Sequence, residues 1–310
     1  MKMTSKVVIK DKKYSGNYSR MVLALKQVSG KIDTEPDGLY DQRFTLYAGD
    51  VVIKNKEIDM EFTIPFDDDT EANEAEITIY NLTSATINAM SPDVPISLTA
   101  GYGKDVGVIF SGYISRKRTF WENGSRKTMI NAIDHNGKRD RTLSALSFGE
   151  GTNASVILKR LLEEVGLPIA VFDVRRDHTY KDKVSVDGGL MENIKKYAGI
   201  CGIVAYVCKS KIYACPLSYG KHDTFLLSSD TGLLSVSEFE EQVTAEDCTD
   251  TVIGVNLEML LQHRVQTGSI IRIDTKQIKG DFRVKNGSHT YDGSNFKTTV
   301  KAISYSCILK

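Results

Sequence analysis

Apolar and polar positions alternate with a period of two through much of the first half of the chain. Ala75-Glu76-Ile77-Thr78-Ile79-Tyr80 alternates, and so does Ile96-Ser97-Leu98-Thr99-Ala100, which predicts strands with one buried face. Residues 108–114 and 127–133 are further strand-forming runs, and Asn123-Gly124 sits between them where a hairpin turn belongs. Thr83-Ser84 ahead of residues 85–90 predicts one capped helical turn, limited by Pro92 and Pro95. From Asn153 the period changes. Ala154, Ile157, Leu158, Leu161, Leu162 and Val165 follow helical spacing, with Thr152 or Asn153 as cap and Gly166 and Pro168 as the stop. A second helix is predicted through Leu190, Met191, Ile194, Tyr197 and Ala198, ending at Gly199. Residues 203–207 and 212–214 then flank a polar turn at Lys209-Ser210-Lys211. The last third returns to strands, at 232–239, 251–256, 269–273, 281–284 and 296–304. Proline is absent after Pro216, so this run closes into a barrel more readily than it ends on a proline-blunted edge.

The expected fold class is therefore mainly β with a small α+β insert of helix, strand, helix and hairpin. A weak internal echo joins the two β regions. Residues 111–133 contain Ser-Gly-Tyr-Ile-Ser, an Asn-Gly turn and Lys-Thr-Met-Ile-Asn-Ala-Ile; residues 279–303 contain Lys-Gly-Asp-Phe-Arg, an Asp-Gly turn and Lys-Thr-Thr-Val-Lys-Ala-Ile. Duplication of a β unit and chance similarity between hairpins both account for the echo.

Length changes this picture little: 310 residues suit two or three domains. Charge changes it more. Forty Lys and Arg balance forty Asp and Glu, which argues against a general nucleic-acid binder. The balance hides local blocks. Residues 1–31 carry eight basic residues and one acid, and 57–76 carry nine acids and no base. Residues 116–141 carry eight bases and three acids, and 238–250 carry six acids and no base. Each block reads as a solvated face, and alternating blocks also suit a subunit that stacks on copies of itself or on neighbours. The chain shows neither an apolar run of membrane length nor the apolar core of a signal peptide.

Catalytic patterns are not found. The five histidines occur outside HExxH, HxH and HRD settings, GxSxG is missing, and the Asp134-His135 pair reads as a hydrogen bond at a strand end. Cys201, Cys208 and Cys215 are spaced by seven, without CxxC, so they read as reduced thiols acting as small hydrophobes, and no metal site is expected. Gly101-Tyr102-Gly103-Lys104-Asp105-Val106-Gly107 has the look of a phosphate loop, but a strand follows it rather than a helix, so it reads as a β-turn. Asp67-Asp68-Asp69 with Glu71 and Glu74 lacks the EF-hand spacing and reads as an acidic loop. Glu163-Glu164 lies on the polar side of its helix with Lys159 and Arg160, a surface role. Arg116-Lys117-Arg118 with Phe120 and Trp121 mixes basic and aromatic residues, which suits a protein contact, a single-stranded nucleic acid or a plain exposed hairpin. No cofactor is expected.

The order of several short motifs carries a resemblance. Residues 75–83, ending in Tyr80-Asn81-Leu82-Thr83, precede a short helix; Gly101-Tyr102-Gly103 follows residues 96–100; Val108-Ile109-Phe110-Ser111-Gly112 comes next. This resembles the amino-terminal barrel of phage tail baseplate hub proteins. Residues 152–158, 188–194 and 211–216 resemble the insert of that family, and 232–234, 256–261, 267–271, 280–284 and 288–289 resemble its second barrel. Glu258 stands where many members carry a proline. The resemblance spans about residues 40–305. It implies a first tube-type β-barrel at 41–145, the α+β insert at 146–222 and a related second tube-type barrel at 223–310, and the charge of the first block makes 1–40 an expected basic arm. It implies a homotrimer whose six barrels form a pseudo-six-fold ring between the hexameric tail tube and a central spike protein, among other baseplate proteins. DNA would be passing cargo only, and no membrane would be touched. The chain would be made in the bacterial cytoplasm and reside in a virion or tail-like particle. Lys310 follows the last strand closely, so the spike would be a separate protein. The alternatives are a distal tail or tube-adaptor ring and a cell-wall hydrolase. Asp67, Asp68, Asp69, Arg116, Lys117, Arg118 and Trp121 are the expected protein-contact residues.

Overall fold

The computed structural model describes residues 41–69, 72–134, 142–217, 219–245 and 248–304. The expected basic arm at 1–40, Glu71 of the acidic loop and His135 lie outside the described residues. The first β unit comprises β1 (Gln42–Ala48), β2 (Val51–Lys54), β3 (Met60–Phe66), β4 (Glu74–Tyr80), helix α1 (Ser84–Ala89), β5 (Pro95–Tyr102), β6 (Asp105–Glu122) and β7 (Ser125–Ile133). The insert follows as β8 (Thr142–Phe148), α2 (Ala154–Val165), β9 (Ile169–Phe172), β10 (Val184–Gly189), α3 (Leu190–Ile200), β11 (Val204–Cys208) and β12 (Lys211–Cys215). The second β unit is β13 (Lys221–Leu227), β14 (Leu233–Ala245), β15 (Cys248–Leu260), β16 (Ser269–Asp274), β17 (Lys279–Tyr291) and β18 (Phe296–Ser304).

Alternation makes each β unit curl. In the first, Phe44, Leu46, Phe62, Ile64, Ile77, Ile79, Leu98 and Ile130 all enter one core. The hydrogen-bonded order is β3-β4-β7-β6-β5-β1-β2, so β1 and β3 stand five strands apart. Laid flat, five spacings would separate them by about 24 Å. The rings of Phe44 and Phe62 are instead 5.4 Å apart, so the sheet is rolled around its apolar side as a barrel. The second unit rolls in the same way: Leu227 of β13 shares a core with Val255 and Leu257 of β15. Its order is β14-β15-β18-β17, with β16 and then β13 continuing from β17.

The two barrels are related. The order β3-β4-β7-β6-β5 in the first is repeated by β14-β15-β18-β17-β16 in the second. Both central hairpins also carry a β-bulge at the same place. Ala132 faces Ile114 and Asn131 faces Arg116, skipping Ser115; Ala302 faces Val284 and Lys301 faces Asn286, skipping Lys285. The echo in the sequence is therefore in register at Ala-Ile, while the opening glycines, Gly112 and Gly280, are two places out of step.

β17 belongs to both barrels. Its first part, through Arg283, pairs with β16; past the bulge, Gly287 to Tyr291 pair with Phe66 to Phe62 of β3. Gly287 is required there, because a Cβ would stand 2.3 Å from the Thr299 carbonyl oxygen and 2.7 Å from the Phe66 ring. Tyr291 and Phe296 pack into the first core, and Phe66 packs into the second. Beneath this splice Arg283 is wholly buried, its Nη1 donating to Asp68 Oδ2 at 2.9 Å and its Nε to the Tyr219 carbonyl at 3.2 Å.

The insert has its own core. Ala154, Ile157, Leu158, Leu161, Leu162 and Val165 of α2 meet Leu190, Ile194, Tyr197 and Ala198 of α3 over β11 and β12. Leu143 of β8 packs there too. Gly166 closes α2 in the left-handed conformation at φ 77°. The start of α2 departs from expectation: Asn153 is the cap residue, but Asp177 Oδ1 accepts the Ser155 N–H at 3.0 Å, and Asn153 Oδ1 accepts from Thr179 instead. A tertiary carboxylate outcompetes the local amide because it is charged and sits across the helix end. Arg160 pairs with Glu164 at 2.5 Å on the solvent side, the surface role expected of that carboxylate pair.

The splice makes a stability prediction. Asp68→Asn leaves the Arg283 charge buried without its counter-ion and is expected to lower the unfolding free energy by about 3–5 kcal/mol. Adding Arg283→Met in the same chain removes the stranded charge and should recover most of that loss. Urea melts of the two variants against the parent measure both effects; an unchanged midpoint for Asp68→Asn would exclude the pair as a support of the splice.

Candidate assembly surface

From β14 to β6 the sheet is an unbroken antiparallel run of eight strands: β14, β15, β18, β17, β3, β4, β7 and β6. Period-two alternation sorts its side chains. One face supplies the two barrel cores. The other presents Ser237 and Glu241, Asn256 and Glu258, Lys297 and Lys301, Ser288 and Thr290, Glu61 and Thr63, Glu76, Lys127, and Arg116 with Arg118. Cross-strand pairs neutralise much of this face. Glu241 takes Lys285 at 2.5 Å and Lys301 at 2.7 Å, Glu258 takes Lys297 at 2.5 Å, and the Tyr80 hydroxyl donates to Glu61 at 2.7 Å. The surface is mainly polar and nearly charge-balanced over eight strands, with Met129, Phe120 under Arg118 and Phe239 under Lys301 set among its charges.

Among the described residues both ends of the run are open. β14 is bonded only to β15 among the described residues. β5 covers β6 as far as Tyr113, and beyond Ile114 no described strand lies on the outer side of β6. Such edges carry unpaired N–H and C=O groups aimed sideways, ready to accept a further strand. Arg116, Lys117, Arg118 and Trp121 all fall on this free part of β6. Lys117 Nζ donates to the Ile87 carbonyl at the end of α1, and the Arg118 guanidinium lies 5.4 Å above the Phe120 ring. Arg116 is exposed, and Trp121 is 72 % exposed at the hairpin tip.

The acidic loop splits. Asp69 faces solvent, whereas Asp68 turns inward onto Arg283, a salt bridge that charge patterning alone does not reveal. Asp67 is half-buried beside it, its carbonyl accepting from Thr267 Oγ1 at 3.0 Å. Burial and then the Asp69 charge push the Asp67 carboxyl up to about 6. His289, one register step along the splice, is buried; its Nδ1 is 2.8 Å from Thr298 Oγ1, and burial drives its pKa down to about 3.

The glycine-rich segment 101–107 is the β5–β6 turn, closed by Tyr102 opposite Asp105, with Gly103 at φ 52°. It is a clamp. Asp105 takes Arg264 Nη1 at 2.7 Å and Nη2 at 2.5 Å, and lies 3.0 Å from His263 Nε2. These two groups hold the Asp105 carboxyl well below the usual carboxylate range, against the effect of burial. The insert is fastened close by. Lys209 and Ser210 form its hairpin turn with φ 49° and 57°; Lys209 Nζ donates to the His263 carbonyl at 3.0 Å, and Ser210 Oγ donates to the Ser111 carbonyl at 2.9 Å. Two non-glycine residues in the left-handed region are unfavourable alone, and these contacts offset that strain. Sequence reading missed this junction, because its partners are 54 to 159 residues apart.

Cys201, Cys208 and Cys215 are buried thiols; burial pushes Cys201 and Cys215 up to about 11. Among the described residues no group of three or more His, Cys, Asp or Glu is placed to hold a metal ion, and no helix is long and apolar enough to cross a membrane.

No family model matches the chain, and no curated protein sequence matches it. Solved structures do. A tail protein from Neisseria meningitidis MC58 superposes with a TM-score of 0.62 at 11% identity, over 86% of this chain and 97% of that one. The 43 kDa tail protein of prophage MuSo2 from Shewanella oneidensis gives 0.64 at 6% identity, over 86% and 98%. The chain has the fold of phage tail proteins. An Escherichia coli component of the type VI secretion system, described as structurally similar to bacteriophage T4 tail proteins, shares this tail-protein fold at a TM-score of 0.59 and 9% identity, over 84% of this chain and 76% of that one. At such identities the likeness is one of fold.

The splice carries two titrating groups of opposite sign. His289 is neutral when folded, so its contribution is complete above its unfolded value near 6.5 and is lost as pH falls towards about 3. Asp67 stabilises the protonated side and loses its contribution as pH rises from about 3.9 through about 6. His289→Asn should flatten the fall in stability between pH 6.5 and 4, and Asp67→Asn should steepen it. Urea midpoints across that range check both signs.

Proposed function

We propose that the chain is the structural hub of a phage tail or tail-like contractile injection particle. Three copies form a ring of six barrels, joining the hexameric tail tube to the central spike and continuing its channel. The observation that carries this reading is the eight-stranded run with a polar face and two open edges. A sheet of this kind is completed by more strands, and a head-to-tail contact between copies closes into a ring. Its polar face would line the channel. The near balance of Lys and Arg against Glu on that face suits passage of nucleic acid rather than retention, since tight phosphate binding needs an excess of cations. Its partners are copies of itself, the tube protein, the spike protein and other baseplate proteins, and its place is the baseplate of the particle. We assign it no bond chemistry and no cofactor: its work is assembly.

Light scattering and negative-stain imaging of the purified chain, alone and mixed with its tail tube protein, test the reading. The expected particle is a ring of three copies with a central pore in at least the mixed sample. A six-fold ring would move the assignment to a distal tail or tube-adaptor ring. A monomer in both samples would overturn it.

A further inference from the structure

We propose that the free edge of β6 in one copy pairs with β14 of a second copy, in the register that β17 and β3 use within the chain. Lys117 then lies opposite Glu240, Thr119 opposite Glu238, and Trp121 opposite Val236 of the second copy. This contact rests on the ring reading above and gives it a residue-level interface.

The register follows from the internal repeat. Ala132-Ile133 and Ala302-Ile303 hold the same place, each facing the residues just before a bulge. Past the bulge Arg116 stands where Asn286 stands, so 117–121 of β6 correspond to 287–291 of β17. On the other side, Ile130 faces Ile77, which faces Phe62; Val300 faces Leu257, which faces Val236. Residues 62–66 of β3 thus correspond to 236–240 of β14. The internal ladder pairs Gly287 with Phe66, His289 with Ile64 and Tyr291 with Phe62. Carried onto the two free edges, those pairs become Lys117 with Glu240, Thr119 with Glu238 and Trp121 with Val236.

Three independent features agree with this register. The first is direction. All seven ladders of the run are antiparallel and it holds an even number of strands, so β6 and β14 point in opposite senses. A second copy in the same orientation therefore continues the alternation. The second is charge. The basic edge meets the exposed Glu238 and Glu240, with Lys117 directly opposite one and diagonal to the other. The third is exposed apolar surface. Trp121 corresponds to Tyr291, whose ring lies 4.8 Å from Phe44, 6.0 Å from Phe62 and 5.7 Å from Phe296. Trp121 is 72 % exposed in the single chain, and Val236 of the next copy supplies the neighbour it lacks.

A cysteine pair tests the register on the full chain. Thr119 and Glu238 are both exposed, so Thr119→Cys with Glu238→Cys leaves the fold intact. Oxidation should give covalent dimers and trimers on denaturing gels. Each single variant, and Thr119→Cys combined with Ser235→Cys, should give at least about tenfold less, because disulfide geometry tolerates little displacement. Separately, Lys117→Glu and Glu240→Lys should each weaken association by about tenfold or more, since like charges then face each other. The double exchange should restore association. If the parent forms its ring but the matched pair cross-links no better than the single variants, this contact is overturned and the ring reading stands. If the parent is monomeric with and without the tube protein, the ring reading falls and this contact falls with it.

Discussion

Everything in this chain hangs on one strand serving two barrels. β17 can enter both barrels because a bulge at Lys285 bends it between its two sets of partners, β16 before and β3 after. The bulge alone is not sufficient. Gly287 lets the Phe66 ring and the Thr299 carbonyl approach the backbone, and Arg283 with Asp68 fills the space beneath with a buried charge pair. Aromatic side chains then cross the boundary in both directions, Tyr291 and Phe296 one way and Phe66 the other. The two barrels share a wall, and neither core is complete without residues from the other.

Local physics wrote much of this fold into the sequence. The strict alternation at 75–80, the helical spacing from Ala154 to Val165 and the Asn-Gly turn at 123–124 each depend on neighbours within a few residues, and each was legible. The repeat was legible only in outline. Its matched Ala-Ile endings survive because they bury the same face, whereas the glycines before the bulges drifted by two positions. What could not be read was the sharing of β17. Gly287 looks like any loop glycine beside Asn286, and nothing adjacent to it signals that Phe66, more than 200 residues earlier, lies over it.

The assembly surface shows the same division. Charge blocks pointed to β6 and to the acidic loop. On β6 the charges and Trp121 do lie along an open edge. In the loop, three consecutive aspartates have three different surroundings: Asp69 outside, Asp67 half-buried, Asp68 on Arg283. A run of like charges records composition, but the backbone turn decides which carboxylate meets the buried guanidinium. The clamp of Asp105 on Arg264 and His263 was hidden for a related reason. A glycine-rich turn advertises its own conformation and says nothing of the distant loop it grips.

The continuity of the eight-stranded run has a mechanical meaning. Ladder hydrogen bonds lie across the strands. A pull along the strands therefore loads every bond of a ladder together in shear, while a pull across them opens the bonds one after another. The shared wall at β17 carries a five-pair ladder to β3 on one side and a nine-pair ladder to β18 on the other. The chain is thus a plate with a grain, stiff along its strands and separable across them, and the two shortest ladders of that run, five pairs between β17 and β3 and four between β3 and β4, lie side by side where the two barrels meet.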